Sequence, residues 1–115
     1  MYTAGKVAIV TGVAPGGIGV ETVRGLCALG ARVVLASRDE RRAREAMADV
    51  LADSRVRSAG GSCDFIALDL SDLRNVDGFV AEFRARHRRL DLLVNNAGLN
   101  SRSGEVQTAW RRALP

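Results

Sequence analysis

Four short clusters in this chain hold the residue types that a phosphorylated, hydroxyl-bearing ligand needs. The first is Thr11-Gly-Val-Ala-Pro-Gly-Gly-Ile-Gly19. Glycines let a backbone turn sharply and approach a pyrophosphate, and a helix starting there offers free N–H groups and the positive end of its dipole. The second is Ala36-Ser37-Arg38, a hydroxyl and a guanidinium side by side. The third is Asp69-Leu70-Ser71 and the fourth Asn95-Asn96-Ala97-Gly98. Each alone reads equally well as a turn, because Asn, Asp, Ser and Gly are turn formers. Their meaning depends on what holds them.

The elements between the clusters alternate strand and helix. Lys6 to Thr11 is a β-branched run expected to form a buried strand. A helix follows from about Gly17 to Leu29, with Ile18, Thr22, Val23, Leu26 and Cys27 on one face and Gly30 as a left-handed cap. Ala31 to Ser37 forms strand 2. Asp39 is placed to cap a helix reaching about Asp53, with Ala43, Ala46, Met47, Val50 and Leu51 inward. A polar loop over Ser54 to Ser62 leads to strand 3, Asp64 to Leu68. Ser71 or Asp72 then opens a helix whose inner face is Leu73, Val76, Phe79, Val80 and Phe83. Leu90 to Asn95 makes strand 4.

Strands joined through helices pair in parallel by right-handed crossovers. The expected fold is therefore α/β, a partial doubly wound parallel sheet of four strands in the order 3-2-1-4. In such a sheet the ligand crevice opens outside the carboxyl ends of the strands, where the winding reverses between strands 1 and 4. All four clusters fall at strand carboxyl ends. A Gly-rich loop between a strand and an amphipathic helix is the context that makes it a dinucleotide cradle. At the end of strand 2 an acid would hold a ribose 2′-hydroxyl, whereas a basic residue accommodates a 2′-phosphate. Position 37 is Ser and Arg38 follows; Asp39, which could reach back to a ribose, is better used as a helix cap.

Composition narrows the alternatives. With 115 residues, 47% hydrophobic and 26% charged, the chain suits one ordinary globular domain. It has no apolar run of the roughly 18 residues that cross a bilayer and no basic n-region before an apolar core, so the expectation is a soluble, cytoplasmic protein. The net charge of +4 is interleaved with acids, as in Asp39-Glu40-Arg41-Arg42, and Arg102, Arg111 and Arg112 lie in the tail. Clustered cations with stacking aromatics are absent, which argues against nucleic acid. Cys27 and Cys63 read as two reduced thiols, and with His87 the single histidine no metal site is expected. His87 is placed to meet the carboxyl end of a helix dipole rather than to catalyse.

The motifs TG…GIG, Ser-Arg after strand 2, DLS and LVNNAG, in register from Lys6 to about Leu99, resemble the first half of the short-chain dehydrogenase/reductase family. The stretches ALDLSDLRNVDGFVAEF and LDLLVNNAG look most like its retinol-dehydrogenase-like branch. The resemblance implies a Rossmann fold and an oxidoreductase that moves a hydride between NADP(H) and a carbonyl/alcohol substrate. It implies that Gly12, Gly17, Ile18 and Gly19 meet the pyrophosphate and ribose, and that Arg38 with Ser37 holds a 2′-phosphate, favouring NADP(H) over NAD(H). It places Asp69 and Leu70 along the adenine and Asn95, Ala97 and Gly98 along the cofactor, the two asparagines also bracing strand 4. One departure stands out. The family loop has three residues between TG and GIG, and this chain has four, Val13 to Gly16, including Pro15 with its fixed φ. Weaker cofactor binding is the expectation.

The family's catalytic Ser, Tyr-x-x-x-Lys and later Asn have no counterpart, so no catalytic residue is assigned. The single Tyr and single Lys do read Tyr2-Thr-Ala-Gly-Lys6. They precede strand 1, whose length of about 20 Å separates them from the crevice, whereas a general acid must come within about 3 Å of its acceptor. The expected organisation is a dinucleotide-binding half-domain over residues 1–99 and an irregular tail over 100–115 that reads as a truncation. By itself the chain is expected to be inactive and marginally stable, with strand 4 left as an apolar edge. The alternative is a catalytically silent nucleotide-binding or partner-pairing module. Homo-oligomerisation is open, because the pairing surfaces of the family lie later in the chain.

Overall fold

In the computed structural model the chain is described over residues 4–13 and 15–96. Eight elements follow in order: β1 (Val7–Thr11), α1 (Ile18–Ala28), β2 (Arg32–Ser37), α2 (Glu40–Leu51), α3 (Ser54–Ala59), β3 (Ser62–Ala67), α4 (Leu73–Arg86) and β4 (Leu92–Val94). The four strands form one sheet in the order β3-β2-β1-β4, and every neighbouring pair is parallel. The register sets Thr11 opposite Ala36 and Val10 opposite Val94, so the chain leaves β1, β2 and β4 at one edge of the sheet.

Both faces of this sheet are covered, and β1, β2 and β3 each supply residues to both. Alternation along β2 sends Val33 and Leu35 to one side, where they pack with Val23 and Cys27 of α1, Ala43, Ala46, Met47 and Val50 of α2, Val56 of α3 and Phe65 of β3. Val34 and Ala36 face the other side with Val7, Ile9, Ile66 and the α4 rings Phe79 and Phe83. Val10, Val23, Leu35, Val50 and Ile66 are fully buried. Burial of one such side chain is worth about 1.5–3 kcal/mol, so these strands hold their helices by area.

The helix ends follow from local chemistry. Asp39, Asp53 and Asp72 each cap a helix, accepting from the backbone N–H of Arg42, Arg55 and Arg74 at 3.1, 2.9 and 3.0 Å. Beyond α1, Gly30 takes the expected left-handed conformation with φ 88°. His87 lies at the end of α4, where its N–H donates to Phe83 O at 2.8 Å and its ring tilts against the Phe83 ring.

The structure differs from the sequence reading in several places. The supposed loop over Ser54 to Ser62 contains α3, a six-residue helix. It is too short to show an apolar period, and Val56 is its one buried residue. Strand 3 starts at Ser62 rather than Asp64, because Ser62 and Cys63 pair with Arg32 and Val33. Strand 4 spans Leu92–Val94, shorter than expected. Ile18, assigned to the inner face of α1, is 82% exposed, and Leu51, Leu73 and Val80 are also largely exposed. On α1, Val23 and Cys27 are buried as expected, and Gly19 and Val20 are buried with them. Ile18 is the first residue of its helix, where the chain has not yet turned over the sheet.

Candidate functional site

The reversal in strand order falls between β1 and β4, and there two of the four clusters meet. At the end of β1, buried Thr11 donates through Oγ1 to Asn95 Oδ1 at 3.2 Å and lies 3.5 Å from Val94 O. Asn96 reaches across the gap, its Nδ2 donating to Gly12 O at 3.3 Å. Gly12 N donates to Ala36 O at 2.9 Å, which ties the same turn to the end of β2. The convergence expected of residues 12–19 and residues 95–96 is therefore present. Ala97 and Gly98 lie outside the described residues.

Within the turn, Gly16 takes a left-handed backbone conformation, with φ 77°. A side chain there would be strained although its Cβ would meet no atom. Gly19 is glycine for a different reason. A Cβ on it would lie 2.5 Å from Asn96 Nδ2 and 3.5 Å from Val13 Cα, so the first turn of α1 can nest against the 95–96 segment only without one.

Gly17 occupies the N-cap of α1 and provides no side-chain cap, whereas α2, α3 and α4 are all capped by aspartate. The N–H groups of the first turn of α1 and its positive dipole end are thus offered to an outside acceptor, and no cap carboxylate competes for them. Ile18 is solvent-exposed at the same end. This is the donor set that a pyrophosphate requires, and the residues present fit such a group.

At the end of β2, Ser37 is half-buried and donates through Oγ to Asp39 O at 3.4 Å, while Arg38 is exposed. The Asp39 carboxylate is engaged at the α2 N-terminus, as the sequence suggested. Asp69, just past β3, accepts from Ser71 Oγ at 2.6 Å and from Ser71 N at 3.0 Å. Those bonds hold its carboxyl below the usual carboxylate range, and the positive charge of Arg38 adds to the effect. The ends of β2 and β3 therefore share an electrostatic link. Asp69 N donates to Asn75 Oδ1 at 2.5 Å, which fixes the backbone there. Leu70 packs against the α4-side core.

Thr11 and Asn96 belong to the first and fourth clusters, Asn96 with an expected bracing role at strand 4, but the contacts they make with Asn95 and Gly12 are not read from the sequence. The available signals were the pairs Thr-Gly and Asn-Asn themselves, but only the parallel β1–β4 register brings them together. Lys6 lies at the opposite, amino end of the sheet, where its charge acts on Asp91. Tyr2 lies outside the described residues. Among the described residues no group of His, Cys, Asp and Glu could hold a metal ion. Nor is any helix long and apolar enough to cross a membrane.

The order of the strands, the uncapped helix at the switch point and the basic end of β2 define the nucleotide-binding half of a Rossmann-type fold. The sequence profile of the short chain dehydrogenases matches residues 6–113, and the chain belongs to that family. Among curated proteins it is 44% identical over 95 residues to polyprenol dehydrogenase of Mus musculus, covering 83% of this chain and 27% of that protein. It is 39% identical over 95 residues to retinol dehydrogenase 12 of Mus musculus, covering 83% of the chain and 28% of the relative. A solved metagenomic short-chain oxidoreductase in complex with NADP superposes with a TM-score of 0.73 at 40% identity, over 86% of this chain and 42% of the other. The chain thus spans between a quarter and a third of the length of these curated relatives.

Proposed function

We propose that this chain supplies the cofactor-holding half of an NADP(H)-dependent oxidoreductase acting on a carbonyl/alcohol pair. The observation that carries the reading is the N-terminus of α1, which lacks a side-chain cap and opens at the β1–β4 reversal. When bound, the nicotinamide cofactor supplies the hydride or accepts it. The chain's own residues bind and orient. Backbone N–H groups of Gly17, Ile18 and Gly19 hold the pyrophosphate, with Gly12 shaping the turn that brings them close. Asn95 lines the cofactor's path, extended through Ala97 and Gly98, while Thr11 and Asn96 keep the β4 end against the Gly-rich turn. Asp69 and Leu70 border the adenine.

Cofactor choice is assigned to the end of β2. Arg38 is an exposed cation beside the Ser37 hydroxyl, and the acid that follows it in sequence, Asp39, is committed to its helix cap. A guanidinium matches a phosphate in charge and in its planar array of donors. The test is a fluorescence titration of the full-length protein with NADPH and NADH. NADPH is expected to bind at least tenfold more tightly, and Arg38→Ala to remove most of that difference, about 1.4 kcal/mol per tenfold. Equal affinities in the unaltered protein, or a ratio unmoved by Arg38→Ala, would overturn the assignment.

A further inference from the structure

Away from the nucleotide crevice, at the amino end of the sheet, the chain's two cysteines meet. Cys27 lies in the last turn of α1 and is fully buried, and Cys63 is the second residue of β3 and half-buried. They are brought together by tight backbone packing. Gly61 comes so close to the Cys27 carbonyl that no Cβ would fit there, and Cys27 Sγ lies 3.4 Å from Ser62 O. Cys63 packs against the same core as Cys27, and the 3.4 Å approach of Cys27 Sγ to the carbonyl of the residue before Cys63 makes the two cysteines neighbours. We propose that Cys27 and Cys63 are a redox-active dithiol, a modification site that a small-molecule disulfide such as glutathione disulfide oxidises to an intramolecular disulfide.

The two sulfurs are unlike, and the difference assigns their roles. Cys63 is the more accessible thiol, and the neighbouring Cys27 thiol moves it below its ordinary range, against burial and the nearby Asp64 charge. The neighbouring Cys63, together with burial, pushes Cys27 far up. The thiolate is the nucleophile in disulfide exchange, so Cys63, the more accessible of the two, attacks first. Its sulfur bonds to one glutathione sulfur, the glutathione S–S bond breaks, and one glutathione leaves as thiolate. With Cys63 capped, the charge that held the Cys27 proton is gone. Cys27 gives that proton to the departing thiolate or to water, and its sulfur attacks Cys63 Sγ and expels the second glutathione. Two protein thiols are oxidised to one disulfide and one glutathione disulfide is reduced to two glutathiones. Because Cys27 already packs against the backbone of Gly61 and Ser62, immediately before Cys63, the two sulfurs belong to adjoining segments before the bridge forms. The bridge would tie α1 to β3 at the edge of the sheet remote from the Gly-rich turn.

The test uses the native full-length protein incubated with glutathione disulfide, alkylated, and digested with trypsin without reduction. The expected product is the peptide 25–32 joined to the peptide 58–74, lighter by two hydrogens than the two separate peptides and split by dithiothreitol. Cys27→Ser is expected to stop the reaction at a mixed glutathione disulfide on Cys63, and Cys63→Ser to leave Cys27 unreacted. Recovery of both peptides with free, alkylated thiols from the unaltered protein would overturn the proposal. So would a glutathione adduct that persists on Cys63 while Cys27 remains present. The unaltered protein decides the matter even if a variant fails to fold.

Discussion

At Gly19 the approach of Asn96 leaves no space for a Cβ, and the consequence is measurable. Gly19→Ala would place a carbon 2.5 Å from Asn96 Nδ2. The amide is the end of a movable side chain, so it can swing away, but then its bond to Gly12 O is lost. The fold should survive while the two sides of the cradle part. The expected result in the full-length protein is a loss of roughly tenfold or more in NADPH affinity with a melting midpoint close to that of the unaltered protein, 1.4 kcal/mol being a factor of ten. Asp39 behaves in the opposite way. Its carboxylate caps α2 and has no other assigned duty. Asp39→Ala should cost about 1 kcal/mol of stability, as loss of an N-cap does, measured by urea denaturation, and leave the NADPH-to-NADH preference in place. A preference that shifts in Asp39→Ala would show that this acid reads the ribose after all.

Between elements, the pairing of β1 with β4 depends on Asp91. Its Oδ2 accepts from Val7 N at 2.8 Å, its own N–H donates to Val7 O at 2.8 Å, and Arg89 Nε donates to Oδ2 at 3.0 Å. The bond from the Val7 N–H chiefly, with the charges of Arg89 and Lys6, holds the carboxyl below the usual carboxylate range. A folded pKa below the unfolded value of about 3.9 makes the carboxylate stabilising above that value, and the contribution fades as pH falls through the folded pKa. Asp69 and Asp53 are lowered in the same direction. Urea midpoints should therefore fall steeply on acidification below about pH 4, and Asp91→Asn should be less stable at neutral pH with a shallower acid limb. An acid limb as steep in the variant as in the unaltered protein would remove Asp91 from this account. The elements also show what a sequence discloses. Asp39, Asp72 and Gly30 are legible as helix boundaries because each signal is local, and the parallel pairing follows because the strands are joined through helices, the order 3-2-1-4 being that of the Rossmann pattern. Helix α3 was not legible, since six residues with a single buried side chain carry no period. Ile18, Leu73 and Val80 were misassigned because an apolar residue at a helix start or flank fits a 3.6-residue pattern without facing the core. The Thr11–Asn95 and Asn96–Gly12 contacts join residues 84 apart. No local spacing encodes them, and they appear only once β1 and β4 are in register.

Across the whole molecule, burial is uneven in a way that fixes how the 115-residue chain should behave in solution. The strands β1 and β2 are buried nearly throughout, while along β4 Leu92 is 44% and Leu93 59% exposed. Among the described residues β4 pairs with β1 on one side only. A parallel strand with open apolar side chains and unpaired backbone groups is a template for another strand. In the two curated relatives, of which the match covers 27% and 28%, further chain is available to cover that edge. The chain is expected to associate through β4. In size-exclusion chromatography with light scattering it should run larger than its 12.3 kDa mass, increasingly so with concentration. Leu93→Lys places a charge on the exposed edge and away from both cores, and should restore smaller species without unfolding them, as far-ultraviolet circular dichroism would report. Association that is untouched by Leu93→Lys would move the sticky surface elsewhere. A monodisperse monomer at all concentrations would mean that the edge is already protected. The chain should turn over no carbonyl substrate, since Lys6 acts on Asp91 at the amino end of the sheet, away from the crevice. Carbonyl-dependent NADPH oxidation by the chain, abolished by Tyr2→Phe, would be the result against it.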